Sequence, residues 1–345
     1  MIDTFGRSIT YLRVSVTELC NLRCRYCMPE DGVCKKEHAD MLTEDELIQA
    51  VVAAAALGIT KLRITGGEPL VKKNIVSICR RASRVPGIRE VCLTTNGILL
   101  PELAKPLKEA GVSRLNLSLD TLDPQKYAYI TRRGSLDDFW KGFHAALDAD
   151  FQKIKLNAVL IGGFNDDEIL PLAELTRKYP VDVRFIEMMP IGYGRQFKTI
   201  DHNWLLENMK KTYPDLAEDS TVHGFGPAVY YKASGFKGSI GLISAIHGKF
   251  CSSCNRVRLT SQGHVKSCLC YDDGTDLRSI LREGQQRPEE DTHYIWQAGR
   301  DVRDEKLQEK LREALARAIY EKPAAHCFEK PGEITEAHNM ISIGG

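Results

Sequence analysis

From Thr10 to about Pro190 the chain alternates short strand-like segments with helical ones, and this alternation restricts its fold more than any other feature. Strands are expected at residues 11–16, 61–65, 90–94, 114–120, 154–161 and 183–188, where apolar residues recur in short runs. Helices are expected between them at 43–56, 71–83, 101–110, 135–149 and 166–178. The first opens on Thr43-Glu-Asp-Glu46, a capping-box pattern, and Gly58 suits its end. Serial β-α units build a parallel sheet with right-handed crossovers. Six such units are too few to close an eight-stranded barrel. The expected fold class is therefore α/β, a partial (β/α)6 TIM-like barrel open on one side.

The strands have an unusual texture. Parallel strands are commonly apolar on both faces, whereas these alternate. Arg13, Ser15 and Thr17 oppose Leu12, Val14 and Val16; Lys61, Arg63 and Thr65 oppose Leu62 and Ile64. Asn116, Ser118 and Asp120 oppose Leu115, Leu117 and Leu119; Lys153, Lys155 and Asn157 oppose Ile154 and Leu156. A period of two puts each set on one face. Helices must cover the apolar face, so the polar, basic face either meets solvent or lines an inner cavity. Buried cations need anionic partners, which makes a cavity bearing Arg13, Lys61, Arg63 and Lys155 a candidate polyphosphate site.

Formal net charge is only +1 over 345 residues, so the chain offers no bulk attraction to nucleic acid or to a membrane surface. No apolar run is long enough to cross a bilayer, and a cytoplasmic location is expected. After Pro190 the texture changes. Residues 192–194 read as a turn, 221–265 as short strands and loops, 275–283 and 304–321 as helices, and 284–292 as a polar loop. Two regions are expected, 1–190 and 191–345.

Two cysteine groups carry the chemistry. Cys20, Cys24 and Cys27 are spaced C-x3-C-x2-C with Tyr26 before the third. Three thiolates in one tight loop suit three irons of a [4Fe-4S] cubane and leave the fourth iron open to a small chelating ligand. A zinc site more often uses C-x2-C pairs and a fourth ligand. A disulfide framework does not suit an odd total of eleven cysteines. Cys251, Cys254 and Cys268 form a second group, C-x2-C-x13-C. It suits either another three-thiolate cluster or a zinc site completed by Cys270 or His264. Between its members Arg256 and Arg258 face one side if extended, and guanidinium forks suit phosphates or planar heterocycles. Cys79 and Cys92 read as core fillers, while Cys34, Cys270 and Cys327 stand alone.

Gly66-Gly67-Glu68-Pro69 follows a strand directly, and two glycines there permit close backbone approach to a ligand. Thr94-Thr95-Asn96-Gly97 ends the next strand likewise, and the chain finishes in Gly344-Gly345. The cysteine loop, the GGEP stretch, the Cys-Asn-Arg-x-Arg run with its later cysteine, and the terminal Gly-Gly together resemble the GTP 3′,8-cyclases (molybdenum cofactor biosynthesis protein A) of the radical S-adenosyl-L-methionine (SAM) superfamily. The resemblance spans nearly the whole chain, although residues 283–302 align to no family motif.

That resemblance implies a lyase that converts GTP to (8S)-3′,8-cyclo-7,8-dihydroguanosine 5′-triphosphate, using SAM and two [4Fe-4S] clusters. Cys20, Cys24 and Cys27 would hold the SAM-binding cluster, with Tyr26, Gly67, Ser118 and Met189 lining the SAM pocket. Cys251, Cys254 and Cys268 would hold the second, whose open iron takes the guanine ring. Arg13, Lys61, Arg63, Thr94, Lys155, Arg184, Arg256 and Arg258 match positions that hold GTP, with Arg13, Arg256 and Arg258 closest to catalysis. A 5′-deoxyadenosyl radical would take hydrogen from ribose C3′, and C3′ would join C8. The Gly344-Gly345 tail would insert towards the site. The implied partners are a reductase or flavodoxin- or ferredoxin-type electron donor, cyclic pyranopterin monophosphate synthase downstream, and a second copy in a homodimer. The competing functions are a radical SAM enzyme that modifies a peptide and a non-catalytic Fe-S or zinc sensor. A sensor would not cleave SAM.

Overall fold

A computed structural model describes residues 1–33, 37–224, 226–283 and 305–344. Cys34, Gly345 and the loop expected at 284–292 lie outside the described residues. The six expected strands form as β1 (Tyr11–Ser15), β2 (Lys61–Thr65), β3 (Glu90–Thr95), β4 (Val112–Ser118), β5 (Ile154–Leu160) and β6 (Asp182–Glu187). They run parallel in chain order, with Tyr11 beside Lys61, Lys61 beside Glu90, and Lys155 beside Asp182. The helices between them are α1 (Glu44–Ala56), α2 (Ile75–Ser83), α3 (Leu100–Glu109), α4 (Pro124–Thr131), α5 (Leu136–Asp148) and α6 (Ile169–Lys178). The capping box of α1 forms as expected, Glu46 N donating to Thr43 Oγ1 at 3.2 Å and Thr43 N to Glu46 Oε2 at 2.8 Å.

The second region adds α7 (His202–Thr212), β7 (Ala217–Glu218), β8 (Val229–Lys232), β9 (Ile240–Ile243), β10 (Arg256–Leu259), β11 (His264–Lys266), β12 (Thr275–Asp276), α8 (Leu277–Arg282) and α9 (Glu305–Tyr320). These strands extend the first sheet at both edges. β9 pairs parallel with β6, and β10 parallel with β1. The order β12-β11-β10-β1-β2-β3-β4-β5-β6-β9-β8-β7 makes one sheet. The break at residue 190 therefore divides the sequence but not the sheet. β10 brings Arg256 level with Tyr11 and Arg258 level with Arg13. Two arginines from the second region thus join the basic strands of the first.

Burial follows the alternation. Leu12, Val14, Leu62, Ile64, Leu93, Leu115, Leu117 and Leu156 are buried under the helices, against Ile48, Val51, Ile78, Leu107, Phe139 and Phe143. Each such side chain contributes about 1.5–3 kcal/mol when fully buried. Two helices went unforeseen. α4 is short, with Asp123 capping it through Gln125 N at 2.7 Å and Pro124 at its first position. α7 buries only His202, Leu205 and Met209, a thin apolar stripe in a polar segment.

α5 packs close to the Thr95–Gly97 turn because Gly142 faces it: a Cβ at Gly142 would stand 1.9 Å from the Gly97 carbonyl oxygen. Replacing Gly142 with Ala should therefore force helix and turn apart and cost about 1–3 kcal/mol. The check is a urea unfolding curve, whose midpoint should fall with its slope retained. An unmoved midpoint would show that the turn yields freely.

Candidate functional site

The inward faces of β1–β6, β9 and β10 enclose a cavity of about 360 Å³. All six cysteines of the two groups line it, as do Tyr26, Gly67, Ser118, Met189, Thr94, Arg13, Arg63, Arg184, Arg256 and Arg258. Two expected residues lie at its floor instead. Lys61 Nζ pairs with Glu90 Oε2 at 2.6 Å, and Lys155 Nζ with Asp182 Oδ2 at 2.9 Å. Arg114 Nε joins Glu90 Oε1 at 3.0 Å. The interior is thus less uniformly basic than a list of its cations suggests. Glu90 and Asp182 stand at the first position of their strands, where the expected alternation does not reach.

The first thiol loop follows β1 and is fixed from its backbone. Arg23 N donates to the Thr131 carbonyl and Arg25 N to the Ile130 carbonyl, both at 2.9 Å, so the end of α4 holds it. Arg132, at φ +62°, turns its guanidinium back onto the Arg23 and Met28 carbonyls at 2.9 and 3.2 Å. The two glycines after β2 seat the other side. A Cβ at Gly66 would meet the Thr17 carbonyl oxygen at 2.5 Å, and one at Gly67 the Leu19 carbonyl oxygen at 2.4 Å. Gly67 N donates to Thr17 O at 2.7 Å and Glu68 N to Leu19 O at 2.8 Å. The pair therefore brings β2 against the cysteine loop itself. Glu68 then ties the ends of β2 and β3, accepting from Leu70 N, Thr95 Oγ1 and Asn96 N at 3.0, 2.7 and 2.7 Å.

Burial pushes the Cys20 thiol up to about 11 and the Cys27 thiol up to about 12, and raises Cys24 well above the ordinary range. Thiols this reluctant to ionise become thiolates when a metal takes the proton's place. Among the described residues, the one three-ligand group whose donor atoms all fall within 4.8 Å is Asp272, Glu336 and His338. Neither thiol group has its three sulfurs within that distance of one another, while all six sulfurs belong to residues that line one cavity with room for a bound group. Tyr26 donates its hydroxyl to Asp120 Oδ2 at 2.7 Å, whose Oδ1 accepts from Val159 N at 2.8 Å. Burial pushes the Asp120 carboxyl up to about 6.

The second group opens in the turn Cys251–Ser253 and closes at Cys268 beyond β11. Cys254 is raised by burial, yet the nearby Arg256 and Lys322 cations bring it below its ordinary value. Cys268 faces the cavity. Cys270 sits behind it in an apolar cluster with Ile191, Phe328 and Ile343, its Sγ 3.3 Å from Cys327 Sγ. His264 lies on β11 opposite Asp276. Cys79 and Cys92 are fully buried, as expected of fillers, although Cys92 shares the inward face of β3 with Glu90 and Thr94.

The arginines are crowded. Burial, then Arg258, lowers Arg13 well below its ordinary value; burial, then Arg256, brings Arg258 down to about 10. Buried like charges of this kind favour an anion between them. Arg184 Nε and Nη2 grip Asn157 Oδ1, and Arg63 donates to the Tyr11 hydroxyl and, at 3.2 Å, to Thr94 Oγ1. The tail reaches the same wall. The Gly344 carbonyl accepts from Arg13 Nη2 at 3.3 Å and Arg258 Nη1 at 3.5 Å. Sequence reading passes over Asn116, Asn157, Glu68 and Asp120 as site residues, although each either follows the period of two or ends a strand. It also passes over Arg7, Lys322 and His326, which no local pattern marks.

Burial raises the Glu68 carboxyl to about 7 from an ordinary 4.5. The folded chain then holds a proton that the unfolded chain releases, so stability from this group falls as pH rises from about 4.5 to about 7 and levels beyond. Unfolding midpoints taken from pH 5.5 to 7.5 should show that decline in the native chain and lose that component in Glu68→Gln. Parallel profiles would assign the decline elsewhere.

The chain matches the family model of the Radical SAM superfamily over residues 14–176 and that of Molybdenum Cofactor Synthesis C over residues 181–328. It is 45% identical to the GTP 3′,8-cyclase of Peptoclostridium acidaminophilum over 345 residues, covering 100% of this chain and 98% of that one. It is 43% identical to the GTP 3′,8-cyclase of Moorella thermoacetica over 352 residues, covering 100% of each. Among solved structures, Streptococcus suis SuiB bound to its precursor peptide SuiA is similar, with a TM-score of 0.59 at 13% identity over 92% of this chain and 66% of that one. At that identity the likeness is one of fold.

Proposed function

The chain belongs to the GTP 3′,8-cyclase family of the radical SAM superfamily, and on that premise we propose how its residues divide the work. It is an enzyme, a radical SAM lyase that cyclises GTP to (8S)-3′,8-cyclo-7,8-dihydroguanosine 5′-triphosphate in molybdenum cofactor biosynthesis, with SAM and Fe-S clusters as cofactors. When bound, the first cluster and SAM supply a hydrogen-abstracting adenosyl radical.

Cys20, Cys24 and Cys27 hold that first cluster, and Tyr26, Gly67, Ser118 and Met189 line the SAM pocket beside it. Cys251, Cys254 and Cys268 hold the second cluster at the far side of the cavity. Arg13, Arg63, Arg184, Arg256 and Arg258 clamp GTP between them with Thr94, while Lys61 and Lys155 support its phosphates from the floor. The observation that carries this division is that both thiol groups and the buried arginines line one cavity. A substrate clamped at both ends has its ribose fixed between two reactive centres, and such positioning lowers barriers by several kcal/mol. Tyr26, held by Asp120, keeps its ring from turning away. The Gly344 carbonyl between Arg13 and Arg258 brings the tail into the substrate wall, which the family resemblance leads one to expect.

Electrons come from a reductase or a flavodoxin- or ferredoxin-type donor, and the product passes to cyclic pyranopterin monophosphate synthase; both follow from the family's pathway. A homodimer follows from the same resemblance. No helix among the described residues is long and apolar enough to cross a membrane, and a reducing cytoplasm suits so many free thiols.

Anaerobic reconstitution with iron and sulfide, then dithionite and SAM, should release 5′-deoxyadenosine in a strongly GTP-dependent manner. Cleavage indifferent to GTP would move the substrate assignment to peptides, and no cleavage would favour a sensor. Arg258→Ala should weaken GTP binding at least about tenfold, roughly the worth of one charged hydrogen bond, while iron content stays unchanged. Unchanged affinity by equilibrium dialysis would remove Arg258 from the substrate wall.

A further inference from the structure

Beside the second thiol group lies a segment with no recognisable motif, residues 322–328, directly after α9. Arg7 fastens it there. Its Nη1 donates to the carbonyls of Cys251 and Ala324, both at 2.9 Å, and its Nη2 to those of Pro323 at 2.7 Å and Lys322 at 3.3 Å. Asp3 steadies Arg7 through a 2.6 Å pair with Nε. The clamp sets two side chains into the cavity wall next to the cysteines. Lys322 is buried, and its ammonium donates to the carbonyl of Ser267, the neighbour of Cys268. His326 is buried as well, with its backbone N–H 3.5 Å from Cys251 Sγ and its ring stacked on Phe328 at 4.3 Å.

The ring's protonation is set by its neighbours. Phe328 N donates to His326 Nδ1 at 3.3 Å, so Nδ1 is the acceptor and the hydrogen sits on Nε2. That Nε2 is buried and makes no well-formed hydrogen bond among the described residues, although the Ala245 backbone lies near the ring. A buried donor with no well-placed acceptor is costly, so its retention in the wall of a binding cavity points to a better acceptor that arrives with the bound group.

We propose that Lys322 and His326 set the reduction potential of the second cluster, the ammonium by its charge and Nε2–H by donating to the cluster or its thiolate sulfurs. This rests on the reading that Cys251, Cys254 and Cys268 hold a cluster. One-electron reduction adds a negative charge to the site. A neighbouring cation or N–H donor stabilises the reduced form more than the oxidised one and raises the potential.

The test is a redox titration of the anaerobically reconstituted full-length protein, followed by electron paramagnetic resonance. SAM identifies the first cluster's signal and GTP the second's. In Lys322→Met the second cluster's reduced-to-oxidised ratio at the native midpoint should fall about tenfold, a shift of about 59 mV to more negative potential for one electron. His326→Phe should move it the same way by severalfold. Lys322→Arg keeps the charge and His326→Gln keeps a donor at the Nε2 position, so both should return most of the shift, with the first cluster unmoved throughout. Unmoved second-cluster midpoints in Lys322→Met and His326→Phe with iron retained would overturn the proposal, as would equal shifts of both clusters. Loss of the second cluster's iron in Lys322→Arg and His326→Gln too would assign both residues to folding and overturn it as well. A native chain that binds one cluster's iron only would instead overturn the assignment of Cys251, Cys254 and Cys268.

Discussion

The burial of several guanidiniums together, out of water, is the constraint on which the rest of this molecule depends. Arg63 on β2 and Arg184 on β6 are buried, Arg13 on β1 and Arg258 on β10 are half-buried, all four line the same cavity, and removing such charges from water is unfavourable unless something anionic or dipolar answers them. The fold answers in layers. Glu90 and Asp182 compensate Lys61, Arg114 and Lys155 at the floor. Asn157, Thr94 and the Tyr11 hydroxyl accept from Arg184 and Arg63 in the middle. The Gly344 carbonyl meets Arg13 and Arg258 near the top.

Close backbone approach gives the site its rigidity. Gly66 and Gly67 let β2 lie against the thiol loop, and Gly142 lets α5 lie against the turn after β3. Glu68 links those two places by hydrogen bonds to both. Three glycines, one carboxylate and one helix end thus fix where the first cysteines stand. On the opposite wall Arg7 performs a similar office for the second group, reaching from the first turn of the chain to the segment after α9.

Much of this arrangement is legible in the amino-acid sequence. Strand alternation places Arg13, Lys61, Arg63 and Lys155 on one face opposite the apolar one, because the side-chain period is two; closure of the sheet around a cavity then makes that face an interior one. The Thr43–Glu46 cap and most element bounds follow from local chemistry. What escapes has a common reason. α4 and α7 bury few side chains and have weak periodicity, so their helicity rests on caps and tertiary contacts. Glu90 and Asp182 lie at strand starts, where nothing local says which cation will stand opposite. Spacing favours Cys268 over Cys270 two residues on without excluding the latter, and the packing of Cys270 against Cys327 in an apolar cluster is something only the fold shows.

The sequence by itself determined the β-α order, the polar interior of the strands, both three-cysteine groups and the glycine-rich turn, since each depends on residues adjacent in the chain. Tertiary structure alone decided that β9 and β10 extend the first sheet, that Arg256 and Arg258 stand level with Tyr11 and Arg13, and that the N-terminal Arg7 fastens residues 322–324 beside Cys251. Those pairings join residues far apart in the chain, from Val183 with Ile240 to Tyr11 with Arg256. They are set by which edges and buried charges remain unsatisfied once the local elements have formed, and no local pattern encodes that.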